Sequence, residues 1–387
     1  MSKSSRDLTH PLRVLIPTVT AGAGHLQAAT AIEEAWRTRR PEDELKRVDV
    51  LDFAPRLYRK AYLEGYIKLV KHAPEVWGAF FRKSDDPKLM LKTNRIRATL
   101  GKFNTPKFVR LLKEFSPEIV VATHFLPTEV LEALQSKKQL QPWPFIASVV
   151  TDFEAHALWQ VPCVELYCVA AEHTRARLLA RGIAAENVVV TGIPIAEKFQ
   201  KLPAKKAARK QLGLRDDLPV LLVLGGGFGM GPVGKILAAL HRLEMPVQIV
   251  VVCGRNEKLR AQLAAQERLH PTHLLGFVTN MDAWMAAADV VLTKPGGLTT
   301  SEALAVGRPI VVLNPIPGQE EANSDFLLEN GAAIKVNSPD DLPFRLTQLL
   351  ISPRLKQMAS TAKSLGKPEA AGAVCEAILG KLKNGTR

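Results

Sequence analysis

Five stretches of this sequence bring together residue types that can do chemistry. The first is Thr20–His25, TAGAGH, at the end of an apolar run. Its glycines let the backbone approach a ligand closely. An imidazole ordinarily titrates near neutral pH, so His25 fits either a general base or a solvated residue on a tight turn. The second is Gly225–Gly231, GGGFGMG, with five glycines in seven residues, more than a turn requires. With side chains almost absent, its amides and the helix N-terminus behind it can face a diphosphate. It lacks the Lys-Ser/Thr ending of a P-loop and the strict GxGxxG spacing of a dinucleotide fold. No convincing acidic residue follows about 20 positions on.

The third stretch, Thr293–Glu302 (TKPGGLTTSE), places two glycines, three hydroxyls and a carboxylate at a predicted helix start, the make-up of an anion site. Glu302 has two readings. Thr299 and Glu302 have the spacing of a capping box, and a carboxylate there could equally accept bonds from both hydroxyls of a ribose. The fourth, Pro315–Asn323 (PIPGQEEAN), crowds Gln319, Glu320, Glu321 and Asn323 into the first turn of a predicted helix. They either favour the helix dipole or fan around the hydroxyls of a sugar.

The fifth stretch is basic. Between residues 53 and 113 there are 15 Lys/Arg against 4 Asp/Glu, in a chain whose net charge is +14. Tyr58, Tyr62 and Tyr66 form one stripe of a helix, and Trp77, Phe80 and Phe81 follow, interleaved with Arg82, Lys83, Lys88 and Lys92. A solvated charged face accounts for the lysines but not for the aromatics beside them. Cations with Tyr and Trp match an interfacial element on anionic lipid. Single-stranded nucleic acid attracts the same mixture, and charge alone does not choose.

The elements that must hold these loops are parallel strands. Short β-branched runs recur at Arg13–Val19, Arg47–Leu51, Glu118–Thr123, Phe145–Val150, Leu166–Ala170 and Asn187–Thr191. They resume at Val220–Leu224, Val247–Cys253, Asp289–Thr293, Pro309–Leu313 and Ala332–Val336, with helical stretches between. Continuous apolar strands of this kind are buried on both faces, which predicts two doubly wound α/β sheets. Ligands of such sheets bind beyond the carboxyl ends of the strands, where the loops above lie. His25 would open a helix whose buried stripe is Leu26, Ala29, Ile32 and Trp36. At 387 residues the chain exceeds one ordinary core. The divider is Gly192–Leu214, with a linker near 195–210. The expected organisation is therefore 1–200, 201–365 and a closing segment 366–387, whose helix is Pro368–Lys383.

The composition, 47% hydrophobic and 23% charged, is that of a folded protein. Four cysteines without CxxC or Cys/His spacing exclude a disulfide framework or zinc motif and fit a reducing compartment. The start, MSKSSRDLTH, lacks the apolar core of a signal peptide. The uncharged run Leu218–Gly234 holds six glycines and two prolines and reads as a strand plus a glycine loop, not a spanning helix.

In order along the chain stand GAGH (Gly22–His25), TDFEAHALW (Thr151–Trp159), TGIPI (Thr191–Ile195), GGGFG (Gly225–Gly229), VVCGRN (Val251–Asn256), TKPGG (Thr293–Gly297) and PGQEEAN (Pro317–Asn323). In these motifs the chain resembles the monogalactosyldiacylglycerol synthase and processive diacylglycerol glucosyltransferase family, glycosyltransferase family 28. That family lies within the larger set that includes the peptidoglycan lipid-linked N-acetylglucosaminyltransferase. The resemblance runs from about Arg13 to Val336, and its order and spacing are highly specific. It implies a GT-B fold: two Rossmann-like, doubly wound domains facing across a cleft, the first for acceptor and membrane, the second for a UDP-sugar. By this resemblance Gly226, Gly227, Gly297, Leu298 and Thr299 approach the diphosphate. Phe277 and Val278 flank the uracil, Glu302 takes the ribose hydroxyls, and Gln319 and Glu320 read the donor sugar with Asn323 in support.

His25 becomes the base that deprotonates the acceptor hydroxyl, for direct displacement with inversion. Gly24, Tyr62, Tyr66, Trp77, Phe80, Phe81, Arg82 and Lys83 are expected on the acceptor and membrane side, with Asp152 and His156. For the last two a structural role is equally open, and His156 is a second base candidate. The implied partners are UDP-glucose or UDP-galactose, diacylglycerol and anionic membrane lipid, without nucleic acid. Location at the inner face of the cell membrane is expected. The UDP-sugar is a substrate, no cofactor is expected, and no DxD motif is present to hold a metal. Three rivals stand beside this reading. One is a UDP-N-acetylglucosamine 2-epimerase, which would have no use for a basic aromatic face. The others are a non-catalytic basic protein binding RNA or membrane, and an NAD(P) dehydrogenase, which the missing acidic residue disfavours.

Overall fold

The structure, a computed structural model, describes residues 8–20, 22–90, 92–93, 105–225, 233–266 and 268–384, without the side chains of Leu63, Tyr66, Ile67 and Lys71. It divides into two compact units. One comprises Met1–Glu197, Pro317–Gln319 and Glu369–Arg387, and the other Lys198–Ile316 and Glu320–Pro368.

The first unit is built on β1 (Arg13–Thr18), β2 (Glu44–Asp49), β3 (Ile119–Ala122), β4 (Phe145–Val149), β5 (Leu166–Val169) and β6 (Val188–Val190), all parallel, in the order β2-β1-β3-β4-β5-β6. Alternation along the strands feeds two apolar layers. Leu15, Val120, Ile146 and Tyr167 point to one. Val14, Ile16, Val121, Ala147 and Cys168 point to the other, where they meet Ile32 and Trp36 of the helix Ala23–Arg39. Of the stripe expected on that helix, Ala29, Ile32 and Trp36 are fully buried, while Leu26 is half-buried. The Trp36 indole donates to Asp43 Oδ2 at 2.8 Å, which satisfies its one polar group inside the core. The closing helix, Ala370–Lys383, sends Val374, Cys375, Ile378 and Leu382 into this same layer.

The second unit holds β7 (Val220–Leu224), β8 (Gln248–Val252), β9 (Thr272–Leu275), β10 (Val290–Thr293), β11 (Ile310–Leu313) and β12 (Ala333–Val336), again all parallel, in the order β12-β11-β10-β7-β8-β9. Both sheets are Rossmann-like. Strand order reverses between β1 and β3 in the first and between β7 and β10 in the second, and ligands of such sheets bind at these reversals. Every expected apolar run overlaps a strand, and β9 is an addition. β2 begins at Glu44, ahead of the expected Arg47, and stops at Asp49. There the Asp49 side chain accepts from the Leu51 amide at 2.9 Å and turns Val50–Phe53 into a short helical turn.

Candidate active site

The loops after β1 and β3 meet at the reversal of the first sheet. His25 stands in the first turn of the helix Ala23–Arg39 and is half-buried, with Gly24 beside it. Its Nδ1 lies 2.9 Å from the Thr123 carbonyl oxygen and 2.9 Å from Thr151 Oγ1. A carbonyl can only accept, so Nδ1 carries the proton and Nε2 keeps its lone pair. The ring of His124 packs edge-on to that of His25 at 4.9 Å, and its own Nδ1 accepts from the Leu126 amide at 3.0 Å. Burial pushes His25 down to about 4, opposed only by its bond to Thr123. Burial, and then the neighbouring His25, push His124 well below the usual imidazole range. The result is a neutral imidazole with one uncommitted nitrogen, the form a general base needs. The cap residue Gly22 is extended, at φ 178°, a conformation open to any residue, and a Cβ there would meet nothing within 4 Å. Its smallness leaves room; it does not enable a strained turn. Sequence reasoning missed Thr123, His124 and Thr151. The available signals were the end of the Glu118–Thr123 run and the first residue of TDFEAHALW.

In the second unit the strand β10 runs into the helix Gly297–Val306, capped at Gly296 without any side-chain bond. The capping-box reading of Thr299 and Glu302 therefore fails, because Thr299 already lies inside the helix. Nor do all three hydroxyls serve an anion. Thr300 Oγ1 donates back to the carbonyls of Gly296 and Gly297, both at 2.9 Å, and Ser301 Oγ to that of Gly297 at 2.8 Å. What remains is the Thr299 hydroxyl and the amides of Gly297, Leu298 and Thr299, which precede the first possible intrahelical acceptor. Glu302 is half-buried and has no hydrogen bond among the described residues. Burial pushes its carboxyl up to about 8, with the Lys198 cation pulling down and Asp282 pushing up.

Asn323 is fully buried and donates to the Pro295 carbonyl at 3.0 Å, bracing the loop that carries Gly296 and Gly297. Glu320 Oε2 accepts from the Ile316 amide at 2.7 Å and so fixes the turn before its own helix, Gln319–Glu329. Gln319 belongs with the first unit, and its Oε1 accepts a 3.4 Å bond from the Trp77 indole. Phe277 is 61% exposed, with the Arg255 guanidinium 5.4 Å over its ring, and Val278 beside it is half-buried. Gly226 and Gly227, expected at the diphosphate, lie outside the described residues.

The basic segment folds as the helices Arg56–His72 and Pro74–Ser84, followed by a further helical turn from Pro87. Tyr58 and Tyr62, 5.9 Å apart and half-buried, pack inward on the core of the first unit. The Tyr66 side chain lies outside the described residues. The outward apolar residues are instead Leu57 (81% exposed), Val76 (61%), Phe80 (58%) and Leu89 (38%), among exposed Arg82, Lys83 and Lys88.

Trp77 is half-buried, its ring tilted against those of Phe80 and Phe81 at 6.0 and 5.9 Å between centroids. Phe81 lies 4.2 Å from the buried ring of His156, whose Nδ1 accepts from the Leu158 amide at 3.1 Å and whose Nε2 donates to the Phe81 carbonyl at 2.9 Å. Both nitrogens are committed, so His156 is a structural pin, not the second base candidate. Beside it Asp85 accepts from the Ala157 amide at 2.6 Å, from Arg181 at 2.9 Å and from Arg177. Burial alone would raise the Asp85 carboxyl, but Arg181, His156 and the Ala157 amide hold it below the usual range. Asp152 is half-buried at the head of this loop.

Two Rossmann-like units with their open groups at the sheet reversals define a protein of the GT-B fold. The fold recurs in MurG of Acinetobacter baumannii, 18% identical with a TM-score of 0.60 over 96% of this chain and 100% of that one. It recurs also in the UDP-GlcNAc 2-epimerase from Neisseria meningitidis bound to UDP-GlcNAc, 16% identical with a TM-score of 0.56 over 95% and 99%. Residues 25–195 match the family model for monogalactosyldiacylglycerol (MGDG) synthase, and residues 204–365 that for glycosyl transferases group 1. The processive diacylglycerol beta-glucosyltransferase of Bacillus cereus (strain B4264) is 30% identical over 380 residues, covering 95% of this chain and 93% of its own. That of Bacillus pumilus (strain SAFR-032) is 30% identical over 379 residues, covering 95% and 94%. The chain belongs to the monogalactosyldiacylglycerol synthase and processive diacylglycerol glucosyltransferase family, and is a glycosyltransferase.

Proposed function

We propose that this chain transfers glucose from UDP-glucose to diacylglycerol at a membrane surface, with inversion at the anomeric carbon. The observation that carries the reading is the 30% identity, along 95% of the chain, to proteins named processive diacylglycerol beta-glucosyltransferase. The match to the MGDG synthase model keeps galactose as the second reading of the donor. Nε2 of His25 takes the proton of the lipid hydroxyl as its oxygen attacks the anomeric carbon. The bond from that carbon to the diphosphate oxygen breaks, and UDP leaves. The charge growing on UDP meets the amides of Gly297, Leu298 and Thr299, and those of Gly226 and Gly227. Phe277 and Val278 flank the uracil and Glu302 accepts the ribose hydroxyls. Gln319 and Glu320 read the sugar beside a loop braced by Asn323.

Exposed Leu57, Val76, Phe80 and Leu89 among Arg82, Lys83 and Lys88 support a seat on anionic lipid at the inner face of the membrane. No helix among the described residues is long and apolar enough to cross a membrane. The test supplies UDP-glucose and UDP-galactose in parallel, with diacylglycerol in anionic vesicles, and separates the lipids by chromatography. Glucosyl-diacylglycerol is expected. Galactosyl product alone selects the second donor, and no transfer from either sinks the proposal. Isomerised sugar nucleotide formed without lipid would favour an epimerase.

A further inference from the structure

Lys198 opens the second unit, and no step above uses it. Its ammonium donates to the carbonyl of Thr279, in the loop that carries Phe277 and Val278. The same nitrogen lies 3.4 Å from Asp282 Oδ1, in the first turn of the helix Met281–Ala287. Exposed lysine pairs contribute little stability, so stability is a poor account of a partly exposed lysine tied down at two points. Among the described residues, the Lys198 and Asp282 charges act in opposite directions on the Glu302 carboxyl.

We propose that Lys198 is a positioning residue for the uridine end of the donor: it ties the loop 276–280 to the helix Met281–Ala287 and presents its charge to Glu302. The inference rests on the proposed role of Glu302 as acceptor for the ribose hydroxyls. An ionised carboxylate accepts from two hydroxyls at once, whereas a protonated one uses an oxygen as donor. Burial pushes the Glu302 carboxyl up to about 8, and the Lys198 cation pulls it back down. With Lys198 gone, Asp282 is the charge left facing it, and Glu302 holds its proton to higher pH.

The experiment titrates UDP calorimetrically into wild type, K198M, K198R and E302Q across a pH series, with kcat and KM for the donor measured in parallel. Wild-type affinity is expected to rise with pH as Glu302 ionises. K198M should bind UDP roughly tenfold more weakly at neutral pH and show that rise at higher pH. Its KM should move more than its kcat, and K198R should restore both affinity and profile. If E302Q binds UDP as tightly as wild type, the reading of Glu302 fails and this proposal with it. If E302Q loses affinity while K198M keeps the wild-type affinity and profile, only the role of Lys198 is overturned.

Discussion

A base works in its unprotonated form, and the first unit keeps three imidazoles in that form by burial: His25, His124 and His156. His156 has both nitrogens bonded and His124 is enclosed, which leaves the half-buried ring of His25 within reach of a substrate. His25→Ala should lower kcat by roughly a hundred- to ten-thousandfold, with UDP affinity nearly unchanged, as initial rates and calorimetry would report. Undiminished turnover would remove His25 as the base. The same burial has a consequence for stability. The folded pKa, about 4, lies below the ordinary 6.5, so the unfolded chain takes up the proton first as pH falls. The contribution of His25 to stability is thus intact above the ordinary value and is lost as pH drops from there toward the folded one. Urea midpoints followed downward from neutral pH should fall less steeply in His25→Gln than in wild type. Parallel slopes would show that the ring is not desolvated. GAGH made His25 visible in the sequence, but the nitrogen left free is set by Thr123 and Thr151, which reach it from other strands, and no local pattern carries that.

Periodicity in a helix says which residues share a face, not what that face meets. Tyr58 and Tyr62 are a stripe in the sequence and a stripe in the structure, yet they pack on the core. On the helix Pro74–Ser84, Val76 and Phe80 share the opposite, outward side, while His156 and Asp85 pin its inner side and its end. Val76 and Phe80, flanked by cations, keep most of their surface in solvent and contribute little to the unit's core. The double variant Val76→Ser, Phe80→Ser should therefore cut binding to anionic vesicles by about tenfold. Its thermal midpoint should stay close to wild type, since exposed substitutions cost little. Unchanged co-sedimentation with vesicles would move the lipid contact elsewhere.

Strands were more legible than faces. Val220–Leu224 is read residue for residue, because a strand buried on both sides is an unbroken apolar run. Thr272–Leu275 was missed because it is short, half-buried and at a sheet edge, and pairing with β8 supplies most of what makes it a strand. The Thr299 and Glu302 spacing left two readings open for a related reason. A local rule counts residues, but the helix starts where the backbone turns at Gly296.

At the scale of the molecule, sequence order and spatial order part company at the end of the chain. The periodic apolar positions of Ala370–Lys383 mark a helix, but such a stripe fits any apolar layer. In the structure it joins the first unit, completing the layer of Ile32 and Trp36. Polar ties reinforce the docking: Arg39 Nη2 to Glu376 at 3.2 Å, and Lys381 Nζ donating to the Glu186 carbonyl at 2.8 Å. The buried side chains of Val374, Ile378 and Leu382, at about 1.5–3 kcal/mol each, are comparable with the whole stability of an ordinary domain, roughly 5–15 kcal/mol. A chain ending at Lys367 should therefore unfold its first unit at markedly lower urea, while the second unit, complete without that helix, keeps its transition. Trp36 reports directly on the exposed layer, so its fluorescence in the truncated chain should shift toward that of a solvated indole at concentrations where the full chain is native. A segment confined to residues 1–197 should share the defect, and appending residues 368–384 should relieve it. Were the truncated chain to keep both the full midpoint and a buried Trp36 signal, the first unit would be self-sufficient and the return of the chain energetically idle.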